Sequence, residues 1–117
     1  MKVVILAGGK GSRIAEYTQD IPKPMIKIAG KPILWHVMQS YAKYGLKDFI
    51  IALGYKSEVI KQFFLNFDTY SNDFEINLNN KKIKLINKQN LDWNISLIET
   101  GLNTMTGGRL KNLEKYF

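Results

Sequence analysis

Apolar positions along the chain fall into two kinds of run, and the two alternate. Val3-Val4-Ile5-Leu6-Ala7 is unbroken and largely β-branched, the composition of a strand buried on both faces. It predicts a first strand over Lys2 to Ala7. Ile33, Leu34, Val37, Met38, Tyr41 and Tyr44 instead recur three or four residues apart, which gathers them on one side of an amphipathic helix. Pro32 suits an early position of that helix and Gly45 its close. Phe49 to Leu53 is a second apolar strand, ended by Gly54, and Lys56 to Asn66 returns to helical spacing through Val59, Ile60, Phe63 and Phe64. Strand, helix, strand, helix implies βαβ units, hence a parallel sheet with helices on its faces.

Between and after these elements the pattern is less regular. Gly8 to Arg13 reads as a loop leading to a helical turn at Ile14 to Tyr17. Thr18 to Pro24 reads as extended, because Pro22 and Pro24 bias their predecessors away from helix. Met25 to Ile28 predicts a short strand or hairpin ending at Ala29-Gly30. Asp68 to Asp73 is polar and predicts a loop. Phe74 to Leu78 and Ile83 to Ile86 alternate apolar with polar residues around the turn-like Asn79-Asn80-Lys81-Lys82, the mark of an antiparallel hairpin with one wet face. Trp93 to Glu99 gives a further strand ended by Thr100-Gly101. A second glycine loop follows at Thr104 to Arg109, with Leu110, Leu113 and Phe117 opening a helix. The large aromatics Trp35, Tyr41, Tyr44, Phe49, Phe63 and Phe64 are assigned to the core.

Composition narrows the class. A chain of 117 residues holds one small domain with a real core. No run of about eighteen apolar residues occurs, so a soluble domain is expected, with neither membrane nor secretory segment and the cytoplasm as its place. Without cysteine there is no disulfide framework and no thiolate metal site. The 17 basic and 10 acidic residues leave +7, which favours anionic partners. Only two of the 17 are arginines, Arg13 and Arg109, and each follows a glycine-rich segment. Forked guanidinium groups beside flexible loops suit bidentate phosphate binding.

The candidate chemistry starts where the first strand meets Gly8-Gly9-Lys10-Gly11-Ser12-Arg13. Glycines let backbone N–H groups approach a ligand closely, and a nest of such groups suits polyphosphate oxygens. Lys10 and Arg13 add full charges. Two familiar phosphate loops fail here. The Walker A spacing is absent, and the dinucleotide fingerprint breaks at Ile14, where its third glycine should stand. Lys23, between Pro22 and Pro24, is aimed by a stiff backbone at low entropic cost. His36, the single histidine, sits in a helix and is given no catalytic role. Asp20, Asp48 and Asp92 show no metal-ligand spacing.

Leu6-Ala7-Gly8-Gly9-Lys10-Gly11-Ser12-Arg13, then Pro22-Lys23-Pro24-Met25, then Gly30-Lys31-Pro32, resembles in order the opening of the sugar-phosphate nucleotidyltransferases. Lys31 to His36, Lys47 to Ile51, Gly54-Tyr55-Lys56 and Trp93-Asn94 resemble the glucose-1-phosphate cytidylyltransferase branch. Ser12 replaces the commoner threonine and keeps its hydroxyl. The resemblance implies a Rossmann-like, mostly parallel sheet with flanking helices. That would be the N-terminal half of a nucleotidyltransferase (GT-A-like) domain over residues 1–117, with a β-hairpin insertion.

For function, the resemblance implies nucleotidyl transfer from CTP to α-D-glucose 1-phosphate, giving CDP-glucose and pyrophosphate. The binding residues would be Leu6, Ala7, Gly8, Gly9, Lys10, Gly11, Ser12, Arg13, Lys23, Thr104 and Arg109, with Arg13 and Lys23 catalytic. Arg13 and the loop amides would cradle the triphosphate, Lys23 would steady the sugar phosphate, and Gly8, Thr104 and the second loop would sit near base and ribose. Family members are longer, and the aspartate that holds their catalytic magnesium lies beyond the position matched by Phe117. The expectation is therefore a truncated chain that uses Mg2+ without supplying its ligand. CTP and a sugar 1-phosphate are the expected partners, with no nucleic acid and no membrane, and a homo-oligomer is left open. Three alternatives stand beside this reading: a non-catalytic or vestigial nucleotide-binding module, a related enzyme using UTP or dTTP, and a basic nucleic-acid binder. The last is the weakest of them, because the chain lacks the aromatic-and-basic motifs of RNA modules.

Overall fold

The computed structural model of the chain describes residues 1–8, 21–87, 91–100 and 115. Its centre is a three-stranded parallel sheet of β1 (Val3–Leu6), β4 (Asp48–Leu53) and β7 (Asn94–Glu99), in the order β1-β4-β7. Val3 pairs with Phe49 and Leu6 with Ala52 on one side of β4. On the other side Asp48 pairs with Asn94 and Leu53 with Glu99. Phe49, Ile50, Ile51, Ala52 and Leu53 are all fully buried, as their unbroken apolar run predicts for a central strand.

Helix α1 (Ile33–Ala42) carries the chain from β1 toward β4, and α2 (Ser57–Leu65) from β4 toward β7. Leu34 and Met38 of α1 and Ile60 of α2 share one buried cluster with Phe49, Ile51 and Leu53. Both helices therefore cover the same sheet face. Strands that advance in one direction, joined by right-handed crossovers, place successive helices on one side. The opposite face holds Ile50 and Ala52 with Val4 and Ile98 packed against them. Fully burying one such side chain contributes roughly 1.5–3 kcal/mol, so this alternation accounts for much of the fold's cohesion.

Several local expectations are corrected. Pro32 is extended (φ −60°, ψ 150°) and caps α1 from outside, and helical residues begin at Ile33. The helix ends in a Schellman motif: Leu46 N–H donates to Tyr41 O (3.2 Å), Gly45 N–H to Ala42 O (3.0 Å), and Gly45 has φ 82°, the left-handed closure that glycine takes without strain. Val37, Tyr41 and Tyr44 are exposed rather than in the core, Tyr44 at 85%, because the buried stripe runs through Leu34 and Met38 alone.

Pro22 is extended as expected, but Lys23–Met25 forms a single 3-10 turn. Met25 N–H donates to Pro22 O (2.8 Å) and Ile26 N–H to Lys23 O (3.2 Å). So short a turn asks nothing of the N–H that Pro24 lacks. The expected loop at Asp68 to Asp73 contains instead the short helix α3 (Phe67–Ser71). Its turn is held by Tyr70 N–H and the Thr69 hydroxyl, both donating to Asn66 O at 3.0 Å. Five residues are too few for a hydrophobic period to reveal.

Two hairpins flank the sheet. β2 (Lys27–Ile28) pairs antiparallel with β3 (Lys31–Pro32), through Ala29 (φ 53°) and Gly30 (φ 80°), the double positive φ of a type I′ turn. His36 Nε2 donates to Ile28 O at 2.7 Å, tying α1 to this hairpin. β5 (Asp73–Ile76) pairs antiparallel with β6 (Ile83–Ile86). This second hairpin was expected to have one wet face, yet seven of its eight strand residues are exposed, Phe74 and Ile83 included. The predicted helical turn at 14–17, the second glycine loop and the closing helix lie outside the described residues. No helix among the described residues is long and apolar enough to cross a membrane.

Candidate functional site at the carboxyl end of the sheet

Parallel strands deliver their following residues to one edge of the sheet, and open α/β sheets bind ligands at that edge. Here β1 delivers Ala7 and Gly8, β4 delivers Gly54 and Tyr55, and β7 delivers Thr100. These ends are stitched together. Ala7 N–H donates to Ala52 O (2.9 Å), and Tyr55 N–H donates to Gly8 O (3.1 Å). Thr100 is buried, and both its N–H (2.9 Å) and its hydroxyl (2.7 Å) donate to Leu53 O. The first residue of the glycine segment is thus fixed to the neighbouring strand end, and the backbone leaves the sheet from a rigid point.

Lys23 stands on a turn that is anchored in the core. Its neighbours Pro22 and Met25 are buried, and Met25 belongs to the cluster that also contains Ala7. Lys23 itself is exposed, and no described residue offers it an ion pair. An anchored backbone carrying a free ammonium is a suitable cation for a mobile anionic ligand. Leu6 is 41% exposed at the end of β1, so its side chain is available there. Gly9, Lys10, Gly11, Ser12, Arg13, Thr104 and Arg109 lie outside the described residues. The structure gathers Ala7 and Gly8 with the other strand ends and forms no hydrogen bond between them and Lys23 among the described residues.

Three features of this edge escaped sequence reasoning as site residues. Tyr55 supplies the amide that holds Gly8 in place. Thr100 closes the edge from β7. Lys56 has φ 51° and ψ 45° at the start of α2, a left-handed conformation uncommon for a lysine. Its ammonium lies 6.0 Å from the centre of the Tyr55 ring. The signal was the register of strand ends, since each of these residues follows an apolar run directly. Two cavities of about 380 and 610 Å3 lie elsewhere, along α2 and α3. Among the described residues no group of three His, Cys, Asp or Glu side chains could hold a metal ion.

Both the sequence and the fold have counterparts among known proteins. The sequence model of a family described as Nucleotidyl transferase matches residues 2–89. Glucose-1-phosphate cytidylyltransferase of Salmonella typhimurium is 47% identical over 99% of this chain and 45% of its own length. The probable glucose-1-phosphate cytidylyltransferase of Bacillus subtilis is 44% identical over the same shares. The chain therefore spans about half the length of these curated relatives. In three dimensions it resembles HddC of Yersinia pseudotuberculosis, solved with GMP-PN, with a TM-score of 0.69 and 31% identity over 99% of this chain and 42% of that one. UDP-glucose pyrophosphorylase, at 20% identity and a TM-score of 0.67, shares the fold.

Proposed function

The chain belongs to the nucleotidyl transferase family, and from that premise we propose that the whole protein transfers a cytidylyl group from CTP to α-D-glucose 1-phosphate. A phosphate oxygen of the sugar phosphate attacks the α-phosphorus of CTP in line. The bond to the bridging oxygen breaks, CDP-glucose forms and pyrophosphate leaves. The observation that carries the proposal is the Tyr55 N–H to Gly8 O bond of 3.1 Å. It fixes Gly8, the first residue of the glycine segment, at the carboxyl edge of the sheet, where open α/β sheets bind their ligands. The choice of CTP and glucose 1-phosphate is supported by the 47% identity to the Salmonella relative.

In this reading Leu6, Ala7 and Gly8 form the floor, Gly9 to Ser12 supply amides, and Lys10 and Arg13 neutralise the triphosphate. Lys23 steadies the sugar phosphate, and Thr104 and Arg109 stand near base and ribose. Catalysis of this type rests on positioning and charge rather than on a protein base, which agrees with a histidine spent on a backbone carbonyl. Magnesium belongs to the proposal as an ion travelling with the triphosphate. The described residues do not fit it as a ligand set, and no step is assigned to it. A cytoplasmic location follows from the proposed substrates.

The test joins this chain to the C-terminal part of the Salmonella relative and measures pyrophosphate release from CTP and glucose 1-phosphate. Release should be fastest with CTP, and ATP or GTP serving equally well would remove the cytidylyl assignment. Arg13→Ala should weaken CTP binding by roughly two orders of magnitude, the scale of losing a bidentate charged contact. Equal titration curves for the two proteins would end the loop assignment.

A further inference from the structure

The larger cavity, about 610 Å3, lies between the β2–β3 hairpin and helices α2 and α3. It shares no lining residue with the sheet edge. Lys27 and Lys31 line one wall, and Gln62, Tyr70 and Ser71 the other, over an apolar base that includes Met25 and Phe63. A volume of a few hundred Å3 with apolar walls and a few polar groups is the usual form of a small-molecule site.

The state of Lys31 indicates what such a molecule would carry. Lys31 is half-buried, and its ammonium donates to Ser71 Oγ at 3.2 Å. It lies 5.6 Å from the centre of the Trp35 ring and 5.5 Å from that of Phe67. An ammonium has three donors, and the hydroxyl accepts one. No carboxylate among the described residues pairs with it. A partly desolvated cation without a counter-ion is costly, and the two aromatic faces offset only part of that cost. Lys27, on the same groove, is exposed and also unpaired among the described residues. Two lysines against the single lining carboxylate, Glu58, leave the groove positive.

We propose that this groove is a second ligand site, which binds a small phosphate ester with its anionic group between Lys27 and Lys31 and its polar body against Gln62, Tyr70 and Ser71. The phosphate oxygens take up the unspent donors of Lys31. Lys27 adds the second charge from the rim, and Phe63 and Met25 cover the apolar edge of the ligand. Such an occupant sits beside the 3-10 turn that carries Lys23, because Met25 belongs to both the turn and the groove.

The isotope-labelled 117-residue chain, titrated with glucose 1-phosphate and separately with inorganic phosphate, tests the site. The amide signals of Gly30, Gln62 and Ser71 should move with saturating curves, and they should still move in Lys23→Ala. That variant separates the groove from the sheet-edge site. Lys27→Ala should weaken the groove affinity about tenfold, the scale of one charge-assisted contact, while Lys27→Arg should keep it. Response to the sugar phosphate alone means that the groove also reads the sugar, and an equal response to both means that it reads phosphate. Either supports the proposal. Unmoved groove signals at millimolar ligand, or a Lys27→Ala variant that binds as tightly as the parent, would overturn it.

Discussion

Strand β4 and the β5–β6 hairpin are both β structure rich in apolar side chains, yet they stand at opposite ends of the burial scale. Phe49 in β4 is fully buried, whereas Phe74 in β5 is 43% exposed. The hairpin does sort its residues correctly. Phe74 pairs with Leu85 and Ile76 with Ile83, which puts four apolar side chains on one face. No third strand among the described residues joins it, and two-stranded ribbons alone are marginal. What defines the hairpin is its turn. Asn77 Oδ1 accepts from the amides of Asn79 (2.9 Å) and Asn80 (3.3 Å), and Asn77 N–H donates to Lys82 O (3.0 Å). Alternation thus specifies pairing, and burial requires something to pack against.

The contrast can be broken most directly by removing one phenyl ring from each region. Phe49→Ala opens a cavity beneath Trp93, whose ring centre stands 5.6 Å from that of Phe49. It should cost about 3–5 kcal/mol in urea unfolding. Phe74→Ala removes a half-exposed ring and should cost about 1 kcal/mol or less. Similar losses for the two variants would mean that the hairpin face is covered in solution.

A smaller effect sharpens the β4 side. Thr100→Val deletes the buried hydroxyl that donates to Leu53 O but leaves the amide bond to the same oxygen. The acceptor keeps a partner, so the loss should be about 1 kcal/mol, the net value of one hydrogen bond. A loss above about 3 kcal/mol, the upper range for stranding a buried polar group, would show that Thr100 supports more of the edge than Leu53 alone.

The same contrast explains what was legible in the sequence. The βαβ order, the parallel sheet and the β5–β6 pair follow from period and from punctuation at Gly45 and Gly54. At Ala29-Gly30 the turn was legible, whereas the partner strand at Lys31–Pro32 was not. The misplaced details are those in which a neighbour decides. Tyr41 and Tyr44 keep helical spacing but fall outside the stripe that meets the sheet, and nothing in their own spacing records where the sheet lies. Lys31 reads like any motif lysine, and only the fold brings Ser71, Trp35 and Phe67 around it. At the sheet edge, the end of the first strand at Ala7-Gly8 was legible from the glycines that follow its apolar run. The bonds that Tyr55 and Thr100 form there were not, because each is made across strand ends that only the fold brings together.

The smallest expected effect is the one that tests whether the hairpin belongs to the nucleotide site at all. Asp73 and Ile86 are directly paired, and paired Cα atoms stand about 4.5–5.5 Å apart. Residues 72 and 87 can therefore be joined by a short glycine linker that replaces 73–86 with little strain. The hairpin packs no side chain into either buried cluster, and its own hydrogen bonds leave with it. Unfolding free energy should change by about 1 kcal/mol or less, the range for removing exposed structure. CTP affinity should stay within about twofold, a difference well under 1.4 kcal/mol, because the sheet edge is held by Tyr55, Leu53 and Thr100. A tenfold loss of CTP affinity with unchanged stability would place the hairpin in the nucleotide site. A large loss of stability would instead show that its apolar face is packed, and that the contrast with β4 is one of degree.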